Sequence, residues 1–181
     1  MKTPALLGIA LTALASMALA QPAGPALQPL PADGFVALAQ IVSEFTSTPE
    51  AAGQKYNGMR ILVYGRVIKV SQSHNGGGDP LAVIMQLTNQ STPDVRAVFA
   101  ADNIPTTDLS VAQNHSHATV FHRDWDGNLT SERSFIEVGQ NVGIRGTFDK
   151  FVAGQIVLKD SSKLSTGDLM KKLREHGIAT E

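Results

Sequence analysis

Apolar residues near the start of the fold recur at helical spacing. They form one stripe of five positions, Phe35, Leu38, Ile41, Val42 and Phe45. We predict a helix over 34–45 with Asp33 as its N-cap, because three- and four-residue spacing places such residues on one face. A second helix is predicted directly afterwards, with Thr48 as cap, Pro49 at the first helical position and an end near Tyr56.

From residue 59 the spacing changes to alternation, which is typical of a strand. Ile61 and Val63 share one parity, whereas Ile68 and Val70 share the other. The apolar phase therefore slips by one residue between Gly65 and Ile68, and a β-bulge produces such a slip. Since a glycine inside a strand often marks a bulge or a bend, we predict a bent strand at Gly65.

Later segments repeat the alternating pattern. We predict further strands over 81–88, 95–101, 138–151 and 155–159, with a turn at Ala153-Gly154 before the last. Five short strands, one of them bent, with helices outside them, predict a mainly β, five-stranded Greek-key barrel.

The chain closes on a predicted helix over 165–176. Ser165 and Asp168 stand at capping-box spacing, and Gly177 is a stop signal.

Residues 104–138 do not fit the barrel pattern and are predicted to be an insert between strands three and four. The segment is rich in Thr, Ser, Asn and His and has no helical apolar stripe. Asp126-Gly127 is a turn dipeptide between two arms, 118–125 and 129–135. We therefore predict a hairpin that projects from the barrel, where a binding function could be added to a plain scaffold.

Three stretches within 51–164 are informative about the family: "AAGQKYNGMRILVYGRVIKV", "AVIMQL" and "VGQNVGIRGTFDKFVAGQIVLKDSSKL". They resemble the tRNA_anti-like family of exported bacterial OB-fold domains. The resemblance implies an OB-fold but no particular function, since these motifs are barrel-forming glycines and apolar positions. A second exported OB-fold family, linked to stress responses, fits the architecture but matches these stretches less well.

The ends of the chain predict export. Residues 1–20 read as a signal peptide, with a short positive start, an apolar centre and an Ala18-Leu19-Ala20 cleavage site. The apolar run is too short for a membrane span. We therefore expect a periplasmic or secreted protein with a Pro-rich linker over 21–32. The predicted order is then helices over 33–56, the barrel with its insert over 57–164, and the C-terminal helix over 165–181.

The amino-acid composition argues against one class of partner, nucleic acid. The chain has no cysteine and a net charge of −1, and 57–164 holds equal numbers of basic and acidic residues. Binding of single-stranded nucleic acid needs a basic groove and aromatic platforms, so this balance disfavours nucleic acid as a partner.

Candidate ligand contacts lie on the first three predicted barrel strands and on the insert. An OB-fold binds ligands on its second and third strands and the loops beside them. The candidates are Tyr64, Arg66, Gln86, Arg96 and Trp125.

The insert also carries a candidate metal site. On a strand, His115 and His117 would point to one face, and His122 or Asp124 could complete a site for zinc or copper. The competing interpretation, which we favour, is a polar hairpin without metal.

No catalytic motif with recognisable spacing occurs, and no cofactor is implied. We expect an exported, non-enzymatic OB-fold domain that binds a protein, peptide or small ligand. The alternatives are a metal-binding protein that uses the His115/His117 region and, more weakly, a single-stranded nucleic-acid binder.

The cleavage site gives the first testable prediction. The mature chain should begin at Gln21, since small residues stand at Ala18 and Ala20. Intact-mass spectrometry of the protein recovered from the periplasm or medium measures this directly. Recovery of a chain that retains 1–20 would contradict export by signal cleavage.

Overall fold

The computed structural model describes residues 27–72, 81–86, 93–105 and 108–179. Four features predicted from the sequence lie outside these residues. They are the signal peptide, the first part of the linker, the residues 73–80 before the second strand, and the end of that strand.

The described residues form short helices and a larger number of strands. The helices are α1 (Leu38–Ser47), α2 (Pro49–Tyr56) and α3 (Thr166–Glu175), with a short 3₁₀ helix over Ala101–Asn103. The strands are β1 (Phe35–Ala37), β2 (Arg60–Ser71), β3 (Leu81–Gln86), β4 (Asp94–Phe99), β5 (Leu109–Val111), β6 (His117–Arg123), β7 (Leu129–Glu137), β8 (Asn141–Val152) and β9 (Gln155–Lys163).

Five strands close into a barrel. The hydrogen-bonded order is β2-β3-β4-β9-β8, and β8 pairs with β2 again to complete the ring. All of these pairs are antiparallel except β4 and β9, which run parallel. This mixed, closed order is that of an OB-fold, so the predicted five-stranded Greek-key barrel is confirmed.

The start of the first helix is predicted wrongly. Residues 35–37 form β1, which pairs in parallel with β2 through Phe35↔Leu62, and α1 begins only at Leu38. The Asp33 side chain does not cap a helix, because its Oδ1 accepts the Phe35 backbone N–H at 3.2 Å. An aromatic and a β-branched residue favour the extended conformation, and an open strand beside them provides backbone partners.

Helices α1 and α2 are joined by a buried ion pair. Lys55 Nζ lies 2.7 Å from Glu44 Oε2, and both side chains are about one-tenth exposed. Burial works against the charged form, yet the Lys55 and Gln40 hydrogen bonds hold the pKa of Glu44 below its ordinary value. Burial, together with the Glu44 carboxylate, raises the pKa of Tyr56. The pair therefore holds the two helices together at the barrel surface.

The predicted phase slip in the first barrel strand is confirmed, although its position is later than Gly65. The pairing of β2 with β3 shifts between Val67 and Lys69. Gly65 itself pairs regularly with Val142. Ile68 is the bulged residue and is 39% exposed, so its predicted place on the face of Val70 is wrong.

Two barrel glycines allow close approach of neighbouring atoms. A Cβ on Gly65 would lie 2.5 Å from Leu38 Cδ2, and one on Gly146 would lie 2.6 Å from Ser161 Oγ. Gly146 also sits at a register shift between β8 and β9. Gly65 thus lets α1 reach the barrel wall, and Gly146 lets β9 cross closely behind β8.

The predicted hairpin in the insert is confirmed, and a third strand joins it. β6 and β7 pair antiparallel around the Asp126-Gly127 turn, and β5 pairs with β6. The base of this sheet does not project from the barrel, as the sequence predicted for the hairpin, but packs against it. Ala118, Val120 and Ile136 are fully buried and belong to the main core.

The C-terminal helix forms with the predicted caps. Ser165 Oγ accepts the Asp168 backbone N–H at 3.1 Å, and Gly177 adopts a positive φ of +67° beyond the last turn. The Ile178 N–H returns to the Leu173 carbonyl at 2.9 Å, which satisfies the end of the helix.

Replacing Gly65 with valine should destabilise the protein by about 1–3 kcal/mol, because the added carbons would overpack the contact with buried Leu38. Chemical denaturation of the single variants and of Gly65→Val/Leu38→Ala measures this. The loss in the double variant should be smaller than the sum of the two single losses, because the smaller alanine side chain on the helix relieves the overlap. Strict additivity would show that the contact is not what requires glycine.

Candidate functional site

Alternating charged and apolar residues cross the outside of the barrel in one row. Strand pairing joins Lys69 to Ile84, Ile84 to Arg96, Arg96 to Val157 and Val157 to Lys150. Residues paired across strands share a face of the sheet. Each of the three central members stands between inward residues of the core, so the row lies on the outer face. We call these five residues the cationic row.

A shallow groove of about 320 Å³ lies along one end of the cationic row. Its walls are formed by Arg96, Val98, Asp149, Lys150, Val152, Gln155, Val157 and Lys159. The Asp149 carboxylate lies 3.3 Å from Lys159 Nζ and 3.8 Å from Lys150 Nζ. One carboxylate therefore holds two ammonium groups beside the groove and leaves it with net positive charge.

Asp94 lies at the start of β4 and pairs with Gln155 of the groove wall. Burial raises the pKa of Asp94, and its hydrogen bond with Gln86 acts in the opposite direction. Burial therefore weakens the tendency of this carboxyl group to carry negative charge beside the cationic row.

Three of the five predicted ligand contacts meet on the outer face. Arg66 pairs with Gln86, and both lie on the face that carries Ile84 and Arg96. Sequence reasoning did not include Lys69, Ile84, Lys150, Val157 or Lys159 in this face. The bulge after Val67 turns Lys69 outward, so the phase slip was the signal that could have identified it.

Tyr64 is placed elsewhere, beneath the C-terminal helix. Leu169 and Leu173 of α3 pack with Phe35 and Leu62 in a small second core, and Tyr64 lies against that cluster. Leu169 Cδ1 would be only 2.6 Å from a Cβ on Gly143, so α3 rests almost on the strand backbone.

Asp33 fastens this helix to the barrel. Its Oδ2 accepts hydrogen bonds from Lys172 Nζ at 2.9 Å and from His176 Nε2 at 3.0 Å. The His176 ring also stacks on Phe35, with centroids 4.2 Å apart. The His176 hydrogen bond is the largest influence that holds the pKa of Asp33 well below its ordinary range. A position that we predicted as a helix cap is therefore an anchor for a different helix, far along the chain.

Trp125 stands alone at the tip of the β6–β7 hairpin. Its side chain is 93% exposed. It belongs to a surface distinct from the cationic row, since β6 and β7 form part of the separate three-stranded sheet.

The predicted metal ligands do not meet. His115 has a positive φ of +59° in the loop before β6, so it does not share a strand face with His117, and that part of the prediction is wrong. His117 Nδ1 lies 2.9 Å from Ser116 Oγ. The Asp124 carboxylate accepts hydrogen bonds from Asn128, and His122 lies on β6. Within 27–72, 81–86, 93–105 and 108–179, no three His, Cys, Asp or Glu side chains are placed to hold a metal ion.

Comparison with known proteins supports the fold. The model of the tRNA_anti-like family matches residues 10–162. One similar solved structure is a lipoprotein from Klebsiella pneumoniae subsp. pneumoniae for which nucleic-acid binding is proposed. It is 16% identical with a TM-score of 0.49, and the alignment covers 72% of this chain and 91% of that chain. A similarity of this size carries no argument about function. No curated protein matches the chain.

Of the helices in the described part of the chain, none has the length and hydropathy to cross a membrane.

Replacing Asp33 with asparagine should loosen α3 and lower stability by about 1 kcal/mol at neutral pH, since Asn keeps the shape but not the charge. The pKa of Asp33 is lowered in the fold, so its contribution is present above its ordinary value of 3.8 and is lost as pH falls below that value. Thermal melts from pH 7 to pH 2 should therefore show a gap between variant and wild type that is constant down to the ordinary pKa of 3.8 and narrows below it.

Glu175→Gln is the matched control for this change. It removes a different carboxylate from the same Lys172, but this pair is an exposed one within the helix. Its effect should be much smaller than that of Asp33→Asn. Equal effects from the two variants would mean that Asp33 does not anchor the helix.

Proposed function

This chain belongs to the tRNA_anti-like family, and on that premise we propose that it is an exported, non-enzymatic OB-fold domain. Its ligand is a protein, peptide or small molecule that presents acidic groups to the outer face of the barrel. The observation that carries the proposal is the cationic row, in which Lys69, Arg96 and Lys150 alternate with Ile84 and Val157 across all five barrel strands.

The order of side chains in the row suits a ligand with both acidic and apolar groups. Arg96 offers a planar guanidinium that can hold a carboxylate by two hydrogen bonds. The lysines add mobile point charges on either side. Ile84 is partly exposed between Lys69 and Arg96, so the aliphatic part of the same ligand can contact it and lose its water. Val157 adds little to this contact, since it is only 9% exposed. Alternation thus matches an extended chain with acidic groups at regular intervals better than it matches a single ion.

The make-up of the groove supports binding without catalysis. Its walls provide guanidinium, ammonium, carboxylate, amide and aliphatic groups. The described wall residues provide no hydroxyl, thiol or imidazole group, and hence no Ser-His or Cys-His pair. The carboxylate of Asp149 lies between two lysines, and this pairing suits a structural role.

The aromatic content favours an acidic peptide or small ligand over a nucleic-acid strand. Stacking platforms for bases require exposed rings beside the basic groups. In the described part of this face, the row and the groove contain none, and Phe99 of β4 points into the core. A row of cations without rings can attract phosphates but cannot hold bases.

Removing two cations of the row should weaken binding of an acidic probe. Wild type should bind a capped peptide of alternating glutamate and valine at low salt, and the affinity should fall as salt is added. Arg96→Gln/Lys150→Gln should weaken binding by roughly tenfold or more, since two charge-assisted contacts are lost. Fluorescence anisotropy of the labelled peptide gives the affinities.

Lys171→Gln provides the control, because Lys171 is an exposed lysine on α3 outside the row. It should bind the peptide as wild type does. Equal binding by Arg96→Gln/Lys150→Gln and wild type, or no binding at low salt, would remove the proposed face. Tighter binding of a 20-nucleotide oligothymidine than of the peptide would replace the acidic ligand with a nucleic-acid strand.

A further inference from the structure

The hairpin tip displays the only tryptophan of the chain almost fully to solvent. Trp125 is 93% exposed, and the next most exposed large apolar side chain of the described residues is its neighbour Leu129, at 50%. Tryptophan is usually well buried, since its indole is the largest apolar surface that a side chain offers. Here the ring stabilises little of this chain, and its surface is available to another molecule.

The turn that carries Trp125 is held firmly. The Asp124 carboxylate accepts the backbone N–H groups of Asp126 at 3.0 Å and Asn128 at 2.8 Å. The Asp124 backbone N–H donates to the Asn128 carbonyl at 2.9 Å, and Gly127 supplies a positive φ of +86°. The backbone on both sides of the indole is therefore fixed by hydrogen bonds that do not involve the ring.

A second set of contacts braces the tip from the side. Arg123 Nε donates to Asp108 Oδ2 at 2.6 Å, which ties the end of β6 to the segment before β5. Arg123 Nη1 donates to the Gly127 carbonyl at 3.2 Å. An anchor that is ordered before binding loses little conformational entropy on association, which is how single tryptophans come to dominate an interface.

The charge around the indole selects its partner. Arg123 is paired with Asp108, whereas the Asp124 carboxylate is hydrogen-bonded to the turn backbone and to the neutral amide of Asn128. These hydrogen bonds, chiefly those from Asn128, also lower the pKa of Asp124, so its negative charge persists at neutral pH. With Asp126 next along the chain, Trp125 stands between two acidic residues, and their charges attract a cation and repel an anionic surface. A guanidinium or ammonium group can lie on the ring face and meet a carboxylate at its edge.

We propose that this hairpin tip is a docking site for a basic segment of a protein partner, in which an arginine or lysine stacks on Trp125 and pairs with the Asp126 carboxylate. The site does not depend on the cationic row, because it lies on the separate β5-β6-β7 sheet and takes a partner of opposite charge. The two surfaces would let one domain hold an acidic and a basic partner at once.

The single tryptophan makes the test direct, since all indole fluorescence comes from the tip. The probe is the capped peptide acetyl-Arg-Leu-Arg-Leu-Arg-amide, labelled for anisotropy, and the same peptide with glutamate for arginine is its control. Wild type should bind the basic peptide saturably, and its emission should shift to shorter wavelength. Trp125→Ala should weaken binding at least ~30-fold, and Asp126→Asn about three- to tenfold, as expected for an interface anchor and for a paired charge beside it.

Asp126 is chosen over Asp124, because Asp124 also builds the turn. Met59→Ala, which trims another exposed apolar side chain, should bind as wild type does. The proposal is overturned if Trp125→Ala retains wild-type affinity, if the glutamate peptide shifts the emission equally, or if no basic peptide binds at low salt. A shift caused by anionic phospholipid vesicles but not by the peptide would assign the tip to membranes instead. None of these results depends on the acidic probe of the barrel face.

Discussion

Closure of the barrel depends on one strand that serves two neighbours. β2 pairs with β8 over Arg60–Arg66 and with β3 over Arg66–Ser71, so its two halves belong to different parts of the wall. A straight strand cannot do this, since its inward face would turn outward along the barrel. The bulge at Ile68 re-aims the second half, which keeps both Val67 and Val70 in the core. Without that bulge, the pairing of β2 with β3 would reverse which residues face solvent.

The same bulge decides the outer face. By moving Ile68 out of the ladder, it brings Lys69 opposite Ile84 and so starts the cationic row. The parallel pairing of β4 with β9 then continues the row from Arg96 to Val157. Residues from five strands, distant in sequence, are brought into line by backbone hydrogen bonds alone. The proposed binding face is thus a direct product of barrel closure.

Elements outside the barrel are attached by small numbers of specific contacts. α1 rests on the wall where Gly65 leaves room, and α3 rests on Gly143 with Asp33 as its polar anchor.

The insert is fixed at its base by Ala118, Val120 and Ile136, and Lys163 Nζ donates to the Phe135 carbonyl across the same junction. Burial lowers the pKa of Lys163, which shows how closely the insert covers it. The base is therefore part of the core, while the tip is free to carry Trp125 into solvent.

Local sequence signals predicted the elements that form through short-range physics. Five such features are present: the start of α2 at Thr48-Pro49, the cap of α3, the Ala153-Gly154 and Asp126-Gly127 turns, and the phase slip in β2. Each of them rests on interactions within a few residues. The sequence also indicated Arg66, Gln86 and Arg96 as candidate ligand contacts on the first three barrel strands. It could not show that Phe35–Ala37 extends beside β2, that Asp33 reaches α3, or that His115 leaves the strand of His117. These outcomes depend on partners that are distant along the chain, so only the pairing register and the packing of the folded protein decided them.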